Sequence, residues 1–285
     1  MHLFFIYYPL GPKNHKAMFN RKYLWPKFAD MSLQDRVPKE LFKEDGHYLG
    51  RPADADDKII HRRVKLTRDV PGFLNKDKSL LEIGCGNGAT MFLLSEEFKQ
   101  LDGIEVNEDH LQEFENVAKS NGINNCAYSI VDVVKSSPTK QYDRLISFEV
   151  IEHLESHDGL KYYYDSLKPD GIMVVSVPNK WWIFETHGAK LPLLPWNRVP
   201  FFSWLPNFIH GRYANARIYR KREIVALLED YGFKVLNTKY ITAPMDVLPK
   251  GKFKDWVVRN FFNTDVTPWA IKSPSIFVVA TKKAE

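Results

Sequence analysis

Three groups of residues in this sequence have the types and spacing to do chemistry. The first is LLEIGCGNGAT, Leu80 to Thr90, where Glu82 stands two positions before the first of three alternating glycines, Gly84, Gly86 and Gly88. Glycines suit so sharp a turn because it needs positive φ, and because a ligand reaches backbone N–H groups only where no Cβ intervenes. The ligand is therefore expected to be anionic or strongly polar at that end. The second group is a pair of carboxylates closing apolar runs, Glu105 in LDGIEVN and Asp132 in YSIVDVV. A carboxylate about twenty residues beyond a glycine turn can accept both hydroxyls of a ribose. The third is FEVIEHLES, Phe148 to Ser156, which offers Glu149, Glu152 and His153.

These residues need elements to hold them. An apolar run enters the glycine turn and a helix-forming run, MFLLSEEF, leaves it, which reads as strand, turn and helix start. Strands are expected near 79–83, 101–106, 126–131, 144–149 and 171–177, with helices near 90–99, 108–121 and 157–167 between them. Such alternation argues for a doubly wound, mostly parallel α/β sheet, whose ligands bind beyond the carboxyl ends of the strands. Every polar residue named so far lies at or just past such an end.

Glu82 decides between two glycine-turn ligands. Gly84, Gly86 and Ala89 also satisfy the looser dinucleotide fingerprint. A carboxylate at position 82 would crowd a pyrophosphate, whereas it can receive the ammonium of an amino-acid-bearing cofactor, directly or through water. E-x-G-x-G-x-G after an apolar strand resembles motif I of class I S-adenosylmethionine-dependent methyltransferases. The resemblance covers about Leu80 to Val177 by motif and Arg222 to Lys283 by pattern alone. It implies a Rossmann-like, seven-stranded sheet with an antiparallel last strand, and a cofactor site of Glu82, Gly84, Cys85, Gly86, Gly88, Glu105, Val106, Asp132, Val133 and Glu149. Asp132 would take the adenine amino group while a backbone N–H, that of Val133, meets a ring nitrogen; the competing reading of Asp132 is a turn or cap aspartate.

FEVIEHLES resembles the E-V-[IL]-E-H segment of a subgroup that includes the ubiquinone-biosynthesis O-methyltransferases and the small-RNA 3′-terminal 2′-O-methyltransferases. There Glu149 lies beside the methionine part of the cofactor, and Glu152 and His153 face the acceptor. Three uses are open. His153 is a general base for an acceptor hydroxyl, since an imidazole titrates near neutrality. Alternatively Glu149, Glu152 and His153, joined by His187 or His210, hold a divalent cation that orients acceptor oxygens. Otherwise the Glu152-His153 pair is structural.

The flanks lie outside the resemblance. Residues 1–50 are broken by Pro9, Pro12, Pro26 and Pro38 and read as an extension, followed by a domain over 51–285. A helix is expected over 56–70; the family resemblance implies that it covers the cofactor, with His47 or Tyr48 in contact, and the competing reading is a surface helix with its basic face in water. Residues 181–215, rich in Trp, Phe and Pro, read as a lid insertion that shapes the acceptor pocket or touches a membrane, with Glu185 and His187 facing the acceptor. RYANARIYRKRE reads as a solvated basic face leading into a helix. A second insertion is expected over 246–270, and SIFVVATKK as the final, antiparallel edge strand.

Composition sets bounds. With 285 residues, of which 44% are hydrophobic, the chain can bury one α/β domain with additions. A formal charge of +5 spread along the sequence does not make a nucleic-acid binder. Two cysteines form no disulfide framework, and MHLFFIYYPL is too short to span a bilayer and lacks a signal peptide's basic start, so a cytoplasmic location is expected.

The function expected is S-adenosylmethionine-dependent methyl transfer to a small or lipid-linked molecule, with oxygen preferred because of Glu152 and His153. Catalytic roles fall to His153, Glu152 and His187. A divalent cation is a further cofactor only under the metal reading, peripheral membrane contact is open, and a nucleic-acid partner is disfavoured. The alternatives are a metal-assisted RNA 2′-O-methyltransferase, a nicotinamide-dependent oxidoreductase and a non-catalytic cofactor-binding protein.

Overall fold

The computed structural model describes residues 57–185, 187, 200–214 and 216–282. The 1–50 extension, with His47 and Tyr48, and Trp196 of the lid lie outside the described residues.

The chain alternates between layers. Helix α1 (Lys58–Arg68) leads to β1 (Asn75–Ile83), α2 (Ala89–Leu94), β2 (Phe98–Glu105), α3 (Leu111–Ser120), β3 (Cys126–Ile130), β4 (Tyr142–Phe148), α4 (Leu160–Ser166) and β5 (Leu167–Pro178). Next come α5 (Asn207–Tyr213), inside the segment 181–215, then α6 (Lys221–Asp230), β6 (Phe233–Ile241), α7 (Lys252–Phe261), β7 (Val266–Thr267) and β8 (Ser275–Lys282). The strands form one eight-stranded sheet in the order β3-β2-β1-β4-β5-β8-β6-β7. Pairings among β3, β2, β1, β4 and β5 are parallel, and those of β8 with β5 and β6 and of β7 with β6 are antiparallel. This is the doubly wound sheet the alternation predicts.

Because successive side chains in a strand point to opposite faces, the central strands feed two cores. Leu81, Ile83, Leu145 and Val175 pack with Tyr163 of α4 and Leu227 of α6. Leu80, Ile146 and Val174 pack with Val64 of α1, Met91 of α2 and Phe114 of α3. Burial on both faces explains why the central strands read as continuous apolar runs.

Two expectations are corrected. SIFVVATKK is not an edge strand: β8 lies between β5 and β6, and Ser275 to Ala280 are all buried. The edge is instead the two-residue β7, contributed by the second insertion as an eighth strand. Helix α2 is also shorter than expected. It stops at Leu94, a 3₁₀ turn follows, and Phe98 already opens β2, because its ring is needed against Phe73 in the core.

Helix α1 is fixed over the carboxyl ends of the strands by its own buried arginine. Arg62 donates to the carbonyls of Thr242 (2.6 Å) and Phe262 (2.9 Å), tying α1 to the end of β6 and to α7. Asp57 caps the helix by accepting from the Ile59 N–H at 3.1 Å.

Candidate active site

A cavity of about 280 Å³ opens beyond the ends of β1, β2 and β4. Its lining includes Glu82, Gly84, Cys85, Gly86, Glu105, Val106, Asp132, Val133, Glu149 and His153, with Ile60 and Arg63 of α1 as a cover. Nine of the ten residues expected at the cofactor are thus brought together, counting all of that list but Gly88. Gly88 starts α2 with φ at +81°, and a Cβ there would stand 2.4 Å from the Phe114 ring. Packing of α3, not ligand contact, demands that glycine.

The glycine turn does not present its N–H groups to a ligand, contrary to expectation. Gly84 and Cys85 both donate to the Ile104 carbonyl (2.8 and 3.2 Å), Gly86 to Glu105 Oε2 (3.0 Å) and Gly88 to the Cys85 carbonyl (2.9 Å). A pyrophosphate would find these donors spent. What the turn secures is close approach: a Cβ on Gly84, whose φ is +74°, would fall 2.2 Å from Val150 Cγ2.

Glu82 supplies the test of fit for an amino-acid-bearing cofactor. It is 4% exposed, and its Oε2 is a buried acceptor without a hydrogen-bond partner among the described residues. Burial pushes its carboxyl well above the usual range, with Glu105 adding to the effect and hydrogen bonds from Thr90 and Met91 opposing it. An ammonium at Oε2 would supply the missing donor and favour the carboxylate, so these residues fit S-adenosylmethionine. Glu105 stands ready for a diol while bracing the turn, accepting from Gly86 and, through Oε1, from Val106 (2.8 Å) and Asn107 (3.3 Å). Asp132 does both things the sequence allowed: it lines the cavity, and it holds its own turn by accepting from the Val134 N–H (3.0 Å) and pairing with Lys135 (2.9 Å). Cys85 is a packing residue whose thiol burial pushes well up.

Beyond β4 the backbone strains to place an acid. Glu149 has φ of +59°, a region costly for a side-chain-bearing residue, and its carboxylate accepts from Ser176 (2.8 Å) and pairs with Arg63 (3.0 Å). His187 Nε2 lies 3.8 Å from Glu149 and 3.4 Å from Glu152. The rings of His153 and His187 are 5.2 Å apart. Glu152, His153 and His187 bring ligand atoms within 4.8 Å of one another. His210 takes no part: it pairs with Glu185 at 2.6 Å, both side chains buried.

Glu152 is fully buried and does not line this cavity. Burial and Glu149 raise its carboxyl to about 7 although His187 pulls the other way. Burial alone would lower the His187 imidazole, but Glu152, Glu149 and Glu185 raise it to about 9.

Two arginines escaped the sequence reading. Arg63 of α1 pairs with Glu149 and lies 5.8 Å from the Phe148 ring, and nothing in the helical pattern set it apart from Arg62. Arg217, read as part of a solvated face, is 5% exposed. It donates to the carbonyls of Leu154 and Glu155 (3.1 Å to the latter), and its N–H to that of Glu152 (3.2 Å), so it holds the loop that carries Glu152 and His153. Among the described residues of that run, only Arg212 and Arg222 are exposed.

The fold and this site define a class I S-adenosylmethionine-dependent methyltransferase. A methyltransferase domain family matches residues 54–238, and the chain belongs to it. A ubiquinone biosynthesis O-methyltransferase of Rickettsia canadensis is 26% identical over 244 residues, 81% of this chain and 97% of that protein. Among solved structures, a coclaurine N-methyltransferase bound to N-methylheliamine and SAH superimposes with a TM-score of 0.56 at 13% identity, over 95% of this chain and 88% of that one. A Mesorhizobium loti S-adenosylmethionine-dependent methyltransferase gives 0.56 at 13% identity, covering 80% and 100%. Neither the nicotinamide nor the RNA alternative gains support from these matches. Among the described residues, no helix is long and apolar enough to cross a membrane.

Proposed function

We propose that the chain methylates a hydroxyl oxygen of a small or lipid-linked molecule. The observation that carries this reading is the meeting of His153, at the wall of the cofactor cavity, with His187 and Glu152 behind it. Bound S-adenosylmethionine supplies a methyl group on a sulfonium, whose C–S bond breaks with its electron pair left on sulfur as the O–CH₃ bond forms. The protein's work is alignment, exclusion of water and removal of one proton. His153 takes the hydroxyl proton, Glu152 orients His187, and Arg217 fixes the loop beneath them. Relatives named as ubiquinone biosynthesis O-methyltransferases support oxygen as the acceptor, and exposed Trp204, Phe208 and Trp256 support a lipid-linked substrate or a membrane that carries one.

Transfer of labelled methyl from S-adenosylmethionine to a panel of hydroxylated and aminated acceptors tests the reading. Labelling of amines alone would remove it. His153→Ala is expected to lower turnover about 100-fold or more, in the range of general-base losses, with cofactor affinity changed little. Equal loss of both would make His153 structural.

A second reading has its own support. The Glu152, His153 and His187 cluster suits a divalent cation. Turnover unaffected by exhaustive chelation, and not raised by added magnesium, manganese or zinc, would set the metal aside.

A further inference from the structure

A second cavity, of about 210 Å³, adjoins the first and shares with it only Arg63 and Glu149 among lining residues. Its walls include Trp182 after β5, Ala243, Met245 and Val247 after β6, Pro274 and Ser275 at the start of β8, and Ile59 of α1. His187 also lines it.

The two cavities differ in their unsatisfied groups. The first holds an acceptor, Glu82 Oε2. The second holds a donor: Trp182 is 3% exposed, and its indole N–H has no hydrogen-bond partner among the described residues. The buried Nε of Arg63, a donor on the wall that the two cavities share, has none either. A buried donor without a partner is unfavourable, so the occupant of such a space should bring acceptor oxygens. The charged side chains on the wall are already paired, Glu149 with Arg63, Asp246 with Lys254 and His187 with Glu152, and Ile59, Ala243, Pro244, Met245 and Val247 are apolar. The volume suits one ring, since an apolar cavity of about 150 Å³ holds benzene.

Accepting methyl transfer to oxygen as the reaction, we propose that this second cavity is the methyl-acceptor site and that it takes a ring-sized, apolar molecule bearing at least two oxygens. One is the hydroxyl presented past Glu149 toward the cofactor. The other accepts from Trp182 or Arg63. The Arg63–Glu149 pair is the partition through which donor and acceptor meet, and Trp182 and Met245 are specificity-determining residues.

Catechol, the smallest ring with two such oxygens, is the probe, and benzylamine, a ring-sized cation without oxygen, is the control. Both are titrated into the protein saturated with S-adenosylhomocysteine, following the indole N–H resonance of Trp182, assigned by its absence in Trp182→Phe. Catechol should move that resonance and benzylamine should bind at least about tenfold more weakly. Trp182→Phe, which keeps the ring and removes the donor, should weaken catechol about fivefold or more, the scale of one buried hydrogen bond. Met245→Trp should block catechol by filling the cavity while S-adenosylhomocysteine affinity stays within about twofold; that retained affinity also shows the variant is folded. Catechol affinity indifferent to both substitutions, equal binding of benzylamine, or displacement of catechol by S-adenosylhomocysteine would each overturn the assignment. Failure of S-adenosylhomocysteine to bind the unaltered protein would instead strike the cofactor reading. Catechol binding without methylation by the turnover assay would strike the proposed reaction and leave the cavity's ligand class standing.

Discussion

His187 Nε2 lies 3.4 Å from Glu152 Oε1, a contact that joins the loop after β4 to the segment after β5. Glu152 lines neither of the two cavities described and His187 lines the second, so the buried carboxyl reaches that cavity through an imidazole. Carboxylates 149, 152 and 185 all favour the charged ring, and His187 is held as a donor at neutral pH.

That arrangement predicts a titration. In the metal-free protein, Glu152→Gln preserves volume but removes the nearest of these charges. The His187 pKa should fall from about 9 toward the ordinary value near 6.5. Carbon-bound ring proton shifts followed against pH by NMR report it directly; an unmoved midpoint would mean Glu149 and Glu185 carry the effect.

For the cofactor, Glu105→Ala should weaken S-adenosylmethionine binding by about 1–3 kcal/mol, roughly 5- to 150-fold. The same carboxylate braces Gly86, Val106 and Asn107, so part of the loss comes from a looser turn. Glu105→Gln retains an acceptor oxygen and should recover part of the affinity. Calorimetric titration of both variants separates the two contributions, and an unchanged dissociation constant in Glu105→Ala would place the ribose elsewhere.

The cofactor side of this site was legible because its residues are local to strand ends. Glu82, Glu105, Asp132 and Glu149 each close or follow an apolar run, and the sheet topology then delivers them to one edge. The second cavity was not, apart from His187, because Arg63, Trp182 and Met245 converge from three separate segments with no common spacing. Arg217 was misread since its partners are backbone carbonyls at 154 and 155, which carry no sequence signal. The place of β8 was misjudged despite a usable sign: the unbroken apolar run IFVVA belongs to a strand covered on both faces, not to an edge.

Glycines 84 and 88 should respond differently to alanine, although both have positive φ. Each substitution adds backbone strain of about 1–2 kcal/mol and overpacking of about 1–3 kcal/mol. At 84 the displaced neighbour is Val150, which lines the cofactor cavity; at 88 it is Phe114, which does not. Gly84→Ala should therefore lose both stability and S-adenosylmethionine affinity, and Gly88→Ala chiefly stability. Thermal unfolding beside ligand titration at low temperature distinguishes them, and equal affinity losses would return Gly88 to the binding site.

Stability in acid should depend on Asp143. Burial alone would raise its carboxyl, but the Ser79 N–H (3.0 Å), Lys168 (3.1 Å), the Ser79 hydroxyl (3.0 Å) and Lys78 (3.2 Å) hold it well below the usual carboxylate range. A folded-state pKa below the unfolded value near 3.9 stabilises the protein above that pH, and the contribution is lost as pH falls through the folded value. The two lysines are partly exposed, so solvent screening limits their share, and Asp143→Asn should cost about 1–2 kcal/mol at pH 7. The cost should hold down to about pH 4 and shrink below it, because the unfolded wild-type chain then binds a proton at this carboxyl that the folded protein does not, until the folded carboxyl is protonated as well. Urea unfolding of both proteins at pH 7 and at the lowest pH where both stay folded measures the difference. A gap that stays constant or widens in acid would show that Asp143 acts by shape and not by charge.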